Sequence, residues 1–312
     1  MKHYTASYNA GETSKNVRAF VKEHHNYFID LLKTVGPYLL ILFIVSIVLQ
    51  QYAIQDLLES AKETATQIKA ATEGASTEEK RQTMIEASAG QQNAAFTNRY
   101  MLMGYVVHLG IGYLFAVIAI SWHRLILLGK ENYQPMKIFE PQKHEIDFLI
   151  TLAMISAVIP FALSFLMINT IGIESSIYAL ILPLMILLIY AYYKISFYFP
   201  AKAVNTPITF KESFYLTKGY FWKIISGYWL AAWRVSLMLF GAIFLLQLAS
   251  TPLLLMASGN EESTIFSKTL ILQSLLYTPI VLYFQPLLTV IAVSVLSNYY
   301  QYALQNKSLP ET

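Results

Sequence analysis

The chain has 312 residues, 55 % of them hydrophobic and 13 % charged, with a formal net charge of +3 and a mean hydropathy of +0.46. That charge is too small to argue for nucleic acid, and no basic cluster interleaves with exposed aromatics. The absence of cysteine excludes disulfides, thiolate catalysis and cysteine-ligated metals. Six long apolar runs dominate what remains, at about 34–53, 101–122, 148–172, 176–199, 227–257 and 269–298. Each reaches the roughly 20 residues a helix needs to cross the hydrocarbon of a bilayer. The expected fold is therefore all-α: a polytopic membrane protein of six transmembrane helices with cytoplasmic interfacial helices. Its organisation reads as a cytoplasmic amphipathic segment at 1–33, a six-span membrane domain at 34–305 and a tail at 306–312. Such a chain has no room for a separate soluble catalytic domain.

At the N-terminal end, the stretch 15–33 is amphipathic. Val17, Phe20, Val21, His24, Phe28, Leu31 and Leu32 share one face, and Lys15, Arg18, Lys22 and Glu23 take the other. Gly36-Pro37 then predicts a break before the first span. That span follows about 33 largely polar residues, too many for the n-region of a signal peptide, so it is expected to stay as an anchor. The next segment, 54–100, is rich in Ala, Glu, Gln, Thr and Lys. It predicts a solvated helical hairpin or helix extension around Gly74-Ala75-Ser76.

Basic residues set the orientation. Fifteen of the 22 Lys and Arg fall in the N-terminal segment, the connectors at 123–147 and 194–223, and the tail, whereas six lie on the opposite side. The positive-inside rule then makes both termini cytoplasmic and turns 54–100 outward. On the inner side, Pro141 suits a first helical turn. Thr209 and Glu212 have capping-box spacing, Phe210, Phe214 and Leu216 are expected to face lipid, and Gly219 is placed to end that helix. Trp and Tyr collect on the same side, as interfacial anchors do.

No Asp or Glu lies deep in a span, which argues against a cation-coupled transporter and against intramembrane acid–base chemistry. His144-Glu145 begins like a zinc-protease helix, but Phe148 stands where the second His would be needed. His108 is expected to bond a neighbouring helix, Gln247 and Gln285 to join helices, and His24 and His25 to lie at the surface. Prolines 160, 183, 252, 279 and 286 allow a kink in each of the last four spans. The candidate binding residues are cations: Arg234 inside the fifth run, Lys194 near the inner end of the fourth, and His123, Arg124 and Lys223 beside the same inner face. A membrane-embedded cation without a sequence-local acid either snorkels to the interface, the first reading for Lys194, or pairs with a partner such as lipid phosphate or an anionic substrate.

Two stretches resemble a known group. One is Ile120-Ser-Trp-His-Arg-Leu-Ile-Leu-Leu-Gly129. The other runs from Lys194-Ile-Ser-Phe-Tyr-Phe-Pro-Ala-Lys-Ala-Val204 through Phe210-Lys-Glu-Ser-Phe-Tyr-Leu-Thr-Lys-Gly219 to Trp222-Lys223. Together they resemble stand-alone bacterial six-span membrane proteins related to the membrane domain attached to glycerophosphoryl diester phosphodiesterases. The resemblance covers roughly 100–305, and Lys194 stands where the pattern has an Arg. It implies an inner-membrane location and a non-catalytic domain. The phosphodiesterase chemistry needs a His-Arg-Gly motif and metal-binding acids, and here Leu125 follows His123-Arg124.

The expectation is a non-enzymatic integral protein of the bacterial inner membrane without cofactor, acting as a lipid-associated scaffold or as a subunit of a larger assembly. The partners are membrane lipids, anionic headgroups included, and other membrane-protein subunits. The alternative is a transporter or flippase-like protein for an amphiphilic or anionic substrate.

Overall fold

Long apolar runs leave a backbone no way to satisfy its N–H and C=O groups except within itself, and this chain does so with helices. The computed structural model describes residues 6–72, 99–155, 178–258 and 263–306. It is 87 % helix and has no strand among the described residues. In chain order the helices are α1 (Ala10–Glu23), α2 (His25–Thr72), α3 (Arg99–Leu128), α4 (143–155), α5 (Tyr178–Ile195), α6 (Tyr198–Ala203), α7 (Phe210–Leu216), α8 (Phe221–Ser258) and α9 (Ser263–Asn306). A short 3-10 turn, Lys130–Asn132, follows α3.

Among the described residues, four helical stretches are long and apolar enough to cross a membrane: His25–Ala53, Met103–Leu128, Phe221–Pro252 and Gln273–Asn306. They correspond to the first, second, fifth and sixth apolar runs. The third run and the start of the fourth extend into residues outside the described set. So does most of the segment 54–100: 54–72 continues α2 as helix, while Gly74-Ala75-Ser76 lies outside the described residues.

α1 starts where the side chain of Asn9 accepts from the backbone N–H of Gly11 and Glu12, with Glu12 in the first turn and Lys22 in the last. It ends at His24 (φ −100°, ψ 18°), whose ring stacks on Phe20 at 4.0 Å. The predicted break at Gly36-Pro37 is thus displaced to His24, and Pro37 lies inside a continuous α2. Proline removes one helical hydrogen bond. Complete burial of Val35 and Leu39 on either side holds the helix through it. His24 is buried, contrary to expectation, while His25 is exposed. The amphipathic face itself is as predicted, with Val17, Val21, Phe28 and Leu31 buried and Lys15, Lys22 and Glu23 exposed.

α7 carries the predicted capping box: the Thr209 hydroxyl accepts from Glu212 N–H, and the Glu212 carboxylate accepts from Thr209 N–H. One of its three apolar residues departs from the expected exposure. Phe210 and Phe214 are 45 % exposed, but Leu216 is 5 % exposed. Residues 213, 216 and 217 share a face at helical spacing, and that face turns inward. Gly219 adopts φ +87°, a left-handed conformation open to glycine, and turns the chain into α8. Pro141 stands before α4 rather than in its first turn.

The chain divides into two units, the first comprising 1–37, 112–242 and 282–312, the second 38–111 and 243–281. In the second, Leu42 packs beside Gly110, and Tyr52 stacks on Tyr100 at 5.4 Å. Gln247 joins α8 to α9 as expected, its Oε1 accepting from Gln273 Nε2 at 2.8 Å and from the Tyr277 hydroxyl at 2.6 Å. Gln285 is exposed and its side chain has no hydrogen-bond partner among the described residues, and His108 pairs with the carbonyl of Gly104, four residues back on its own helix. Pro183 and Pro252 lie inside continuous helices.

Candidate functional site

The polar chemistry of the first unit begins in the last turns of α3, which present Ser121, Trp122, His123 and Arg124 in succession. All four are buried. Opposite them, α9 offers Ser294, Ser297 and Asn298, residues spaced three and four apart and so on one face. Trp122 Nε1 donates to Ser294 Oγ at 2.8 Å, and His123 Nδ1 pairs with Ser297 Oγ at 2.6 Å. Asn298 reaches the N-terminal segment. Its Oδ1 accepts from Ser7 N–H at 3.1 Å, and its Nδ2 donates to Ser7 O at 2.8 Å and to Thr13 Oγ1 at 3.1 Å.

Arg124 is the centre of a second cluster. Its Nε donates to Ala203 O at 2.8 Å and its Nη1 to Gln134 O at 3.3 Å. Its Nη2 pairs with Glu145 Oε1 at 2.7 Å and with His144 Nε2 at 2.8 Å. The Arg124 and Glu145 side chains are 9 % and 2 % exposed, so this ion pair is shielded from water on both sides. Glu145 Oε2 also accepts from Gln142 N–H at 2.5 Å, which caps the start of α4. Burial and the adjacent guanidinium push the His144 pKa below its ordinary value. Nearby, Lys202 bonds Asp147 at 3.3 Å. The loop after α3 folds back on the cluster, with Met136 N–H donating to Ser121 Oγ at 3.0 Å.

Of the five residues singled out in the sequence, His123 and Arg124 therefore meet protein groups. Lys223 lies 4.8 Å from the ring centre of Tyr8. Lys194 is 7 % exposed, with Nζ 5.4 Å from the Tyr190 ring centre and 4.9 Å from that of Phe214. Arg234 is exposed, its guanidinium 5.4 Å from the Trp233 ring centre. Among the described residues neither Lys194 nor Arg234 forms an ion pair, and no group of His, Asp and Glu has the makeup of a metal site.

Sequence reasoning noted Glu145 beside His144 without pairing it with Arg124, and it missed Asn298. The signal for Glu145 was the Gln142-x-x-Glu145 spacing beside Pro141, the capping pattern recognised at Thr209. For Asn298 it was a polar cluster, Ser294, Ser297 and Asn298, in an otherwise apolar final run. No protein-family model matches the chain, nor does any curated protein or solved structure.

Proposed function

We propose that this is a six-span protein of the bacterial inner membrane, with both termini cytoplasmic. In this reading it acts without catalysis, as a lipid-associated scaffold or subunit of a larger membrane assembly. One observation carries the reading. The exposed face of α8 carries Trp229, Trp233, Leu237, Met238 and Phe240, and Arg234 emerges among them with no carboxylate partner among the described residues. Two tryptophans precede this cation and an apolar band follows it, so a single charge stands on a lipid-facing surface and needs an anion. A guanidinium there binds a lipid phosphate with its forked donors. The polar groups of the first unit support the non-catalytic part. His123, Arg124, Glu145 and Asn298 are each engaged by protein partners, the arrangement of groups that fix helices together.

The test is native mass spectrometry of the protein extracted gently from its own membrane. The expected spectrum has bound anionic lipid in the wild type and less in Arg234→Gln. A stoichiometric protein partner would identify the assembly. Unchanged lipid in the variant would remove Arg234 from the account.

A further inference from the structure

Lys194 is buried differently from an anchoring lysine. It lies in the last turn of α5, whose exposed apolar residues, Ile186, Leu187 and Ile189, end at Tyr190, one turn earlier. That position is the depth at which a lysine normally extends its ammonium to water. Here the residue is instead covered to all but 7 %, with Nζ 5.4 Å from the Tyr190 ring centre and 4.9 Å from that of Phe214. The enclosure is built rather than incidental. The Thr217 hydroxyl, just past α7, bonds the Lys194 carbonyl at 2.7 Å, and the capping box fixes the other end of α7.

What surrounds the ammonium is favourable but uncharged. Ring faces attract a cation, and the carbonyl end of α5 adds a partial negative charge. Such groups offset only part of the loss of hydration, and a buried cation ordinarily has an anion beside it. None of the described carboxylates fills that place. Phe214, which roofs the site, is itself exposed on α7 with Lys211 and with Glu212, whose carboxylate is held by the Thr209 cap, and the exposed Lys218 follows just past the helix. An anion arriving at this depth therefore meets two exposed lysines and then the edge of the roof.

We infer that the junction of α5 and α7 binds the phosphate of one anionic phospholipid, with Lys194 as the cation that receives it. The inference rests on the membrane reading above. It is separate from Arg234, which lies about 20 Å further along α8 than the Phe221 ring that borders Tyr190. The phospholipid is favoured over a soluble phosphate because the exposed apolar band of α5 leads directly to the site, so acyl chains have a surface to follow.

The test titrates the purified full chain, in zwitterionic detergent, with short-chain phosphatidylglycerol, phosphatidylcholine of the same chain length, and glycerol 3-phosphate. The unfolding temperature is the readout. Phosphatidylglycerol should give a saturable rise that the other two do not. Lys194→Met should weaken it at least tenfold, and Lys194→Arg should restore it. Because Met removes a buried charge while keeping the volume, the lipid-free Lys194→Met protein should be no less stable than the wild type. Equal binding by wild type and Lys194→Met overturns the inference. If Arg234→Gln alone then abolishes the rise, the lipid reading survives without this site. If phosphatidylglycerol does no more than phosphatidylcholine in the wild type, both fall, and a matching response to glycerol 3-phosphate overturns the assignment to a lipid.

Discussion

Arg124 and Glu145 share the least solvent-exposed ion pair of the described chain, and each has further hydrogen bonds that complete it. Removing one partner of such a pair strands the other charge in a low-dielectric setting, at a cost of roughly 3–5 kcal/mol. Glu145→Gln should therefore lower unfolding stability by about that amount, as read by denaturant titration of the helical signal. A loss below about 1 kcal/mol would mean that water reaches the guanidinium. His144 adds a pH dependence. Its folded pKa lies below the ordinary 6.5 because of burial first and Arg124 second. The unfolded chain then binds the proton more readily, so stability is retained above about pH 6.5 and declines as the pH falls below it. His24, depressed chiefly by burial, acts in the same direction. The unfolding temperature should fall between about pH 7 and pH 5.5, and His144→Gln should flatten the slope. An unchanged slope would place its source at another buried histidine. Little of this was legible in advance, because the contacts of Arg124 reach across 79 residues to Ala203 and those of Asn298 across 291 to Ser7.

Helices were legible at the scale of the element, because an apolar run that cannot bond water must bond itself. Boundaries were less so. Gly36-Pro37 has the composition of a break, yet the buried flanks Val35 and Leu39 carry α2 through it, and the chain turns at His24 instead. Local chemistry sufficed at α7, where the Thr209 and Glu212 box is contained within four residues. The inward turn of Leu216 required only the helical period, applied from Phe214. The approach of α8 to α9 depends on a glycine. A Cβ at position 227 would lie 3.0 Å from the Tyr299 hydroxyl and 3.2 Å from its ring, and Tyr299 is fully buried. Gly227→Ala should destabilise the protein by about 1–3 kcal/mol through overpacking, measured by the same titration. A neutral effect would show that α8 can move away without loss.

At the scale of the molecule, the first unit gathers the buried polar groups, with Arg124, His123 and Asn298 among them. The second has the Gln247–Gln273–Tyr277 set as its polar link. Composition alone anticipated a helical chain with apolar spans, because hydropathy and length decide that question. It could not separate cations that hold helices together from cations that lack an acid. Arg124 and Lys194 look alike in a sequence, and only the position of Glu145 distinguishes them. The proposal that the basic side, with Lys194 and Arg234, faces the cytoplasm can be tested directly, since the chain has no cysteine. Single variants Glu63→Cys, on the helical extension of α2, and Lys211→Cys, on the exposed face of α7, would be treated with a membrane-impermeant maleimide on intact cells. The account predicts that Glu63→Cys reacts at once and Lys211→Cys only after the inner membrane is permeabilised. Labelling of Lys211→Cys from outside would contradict it.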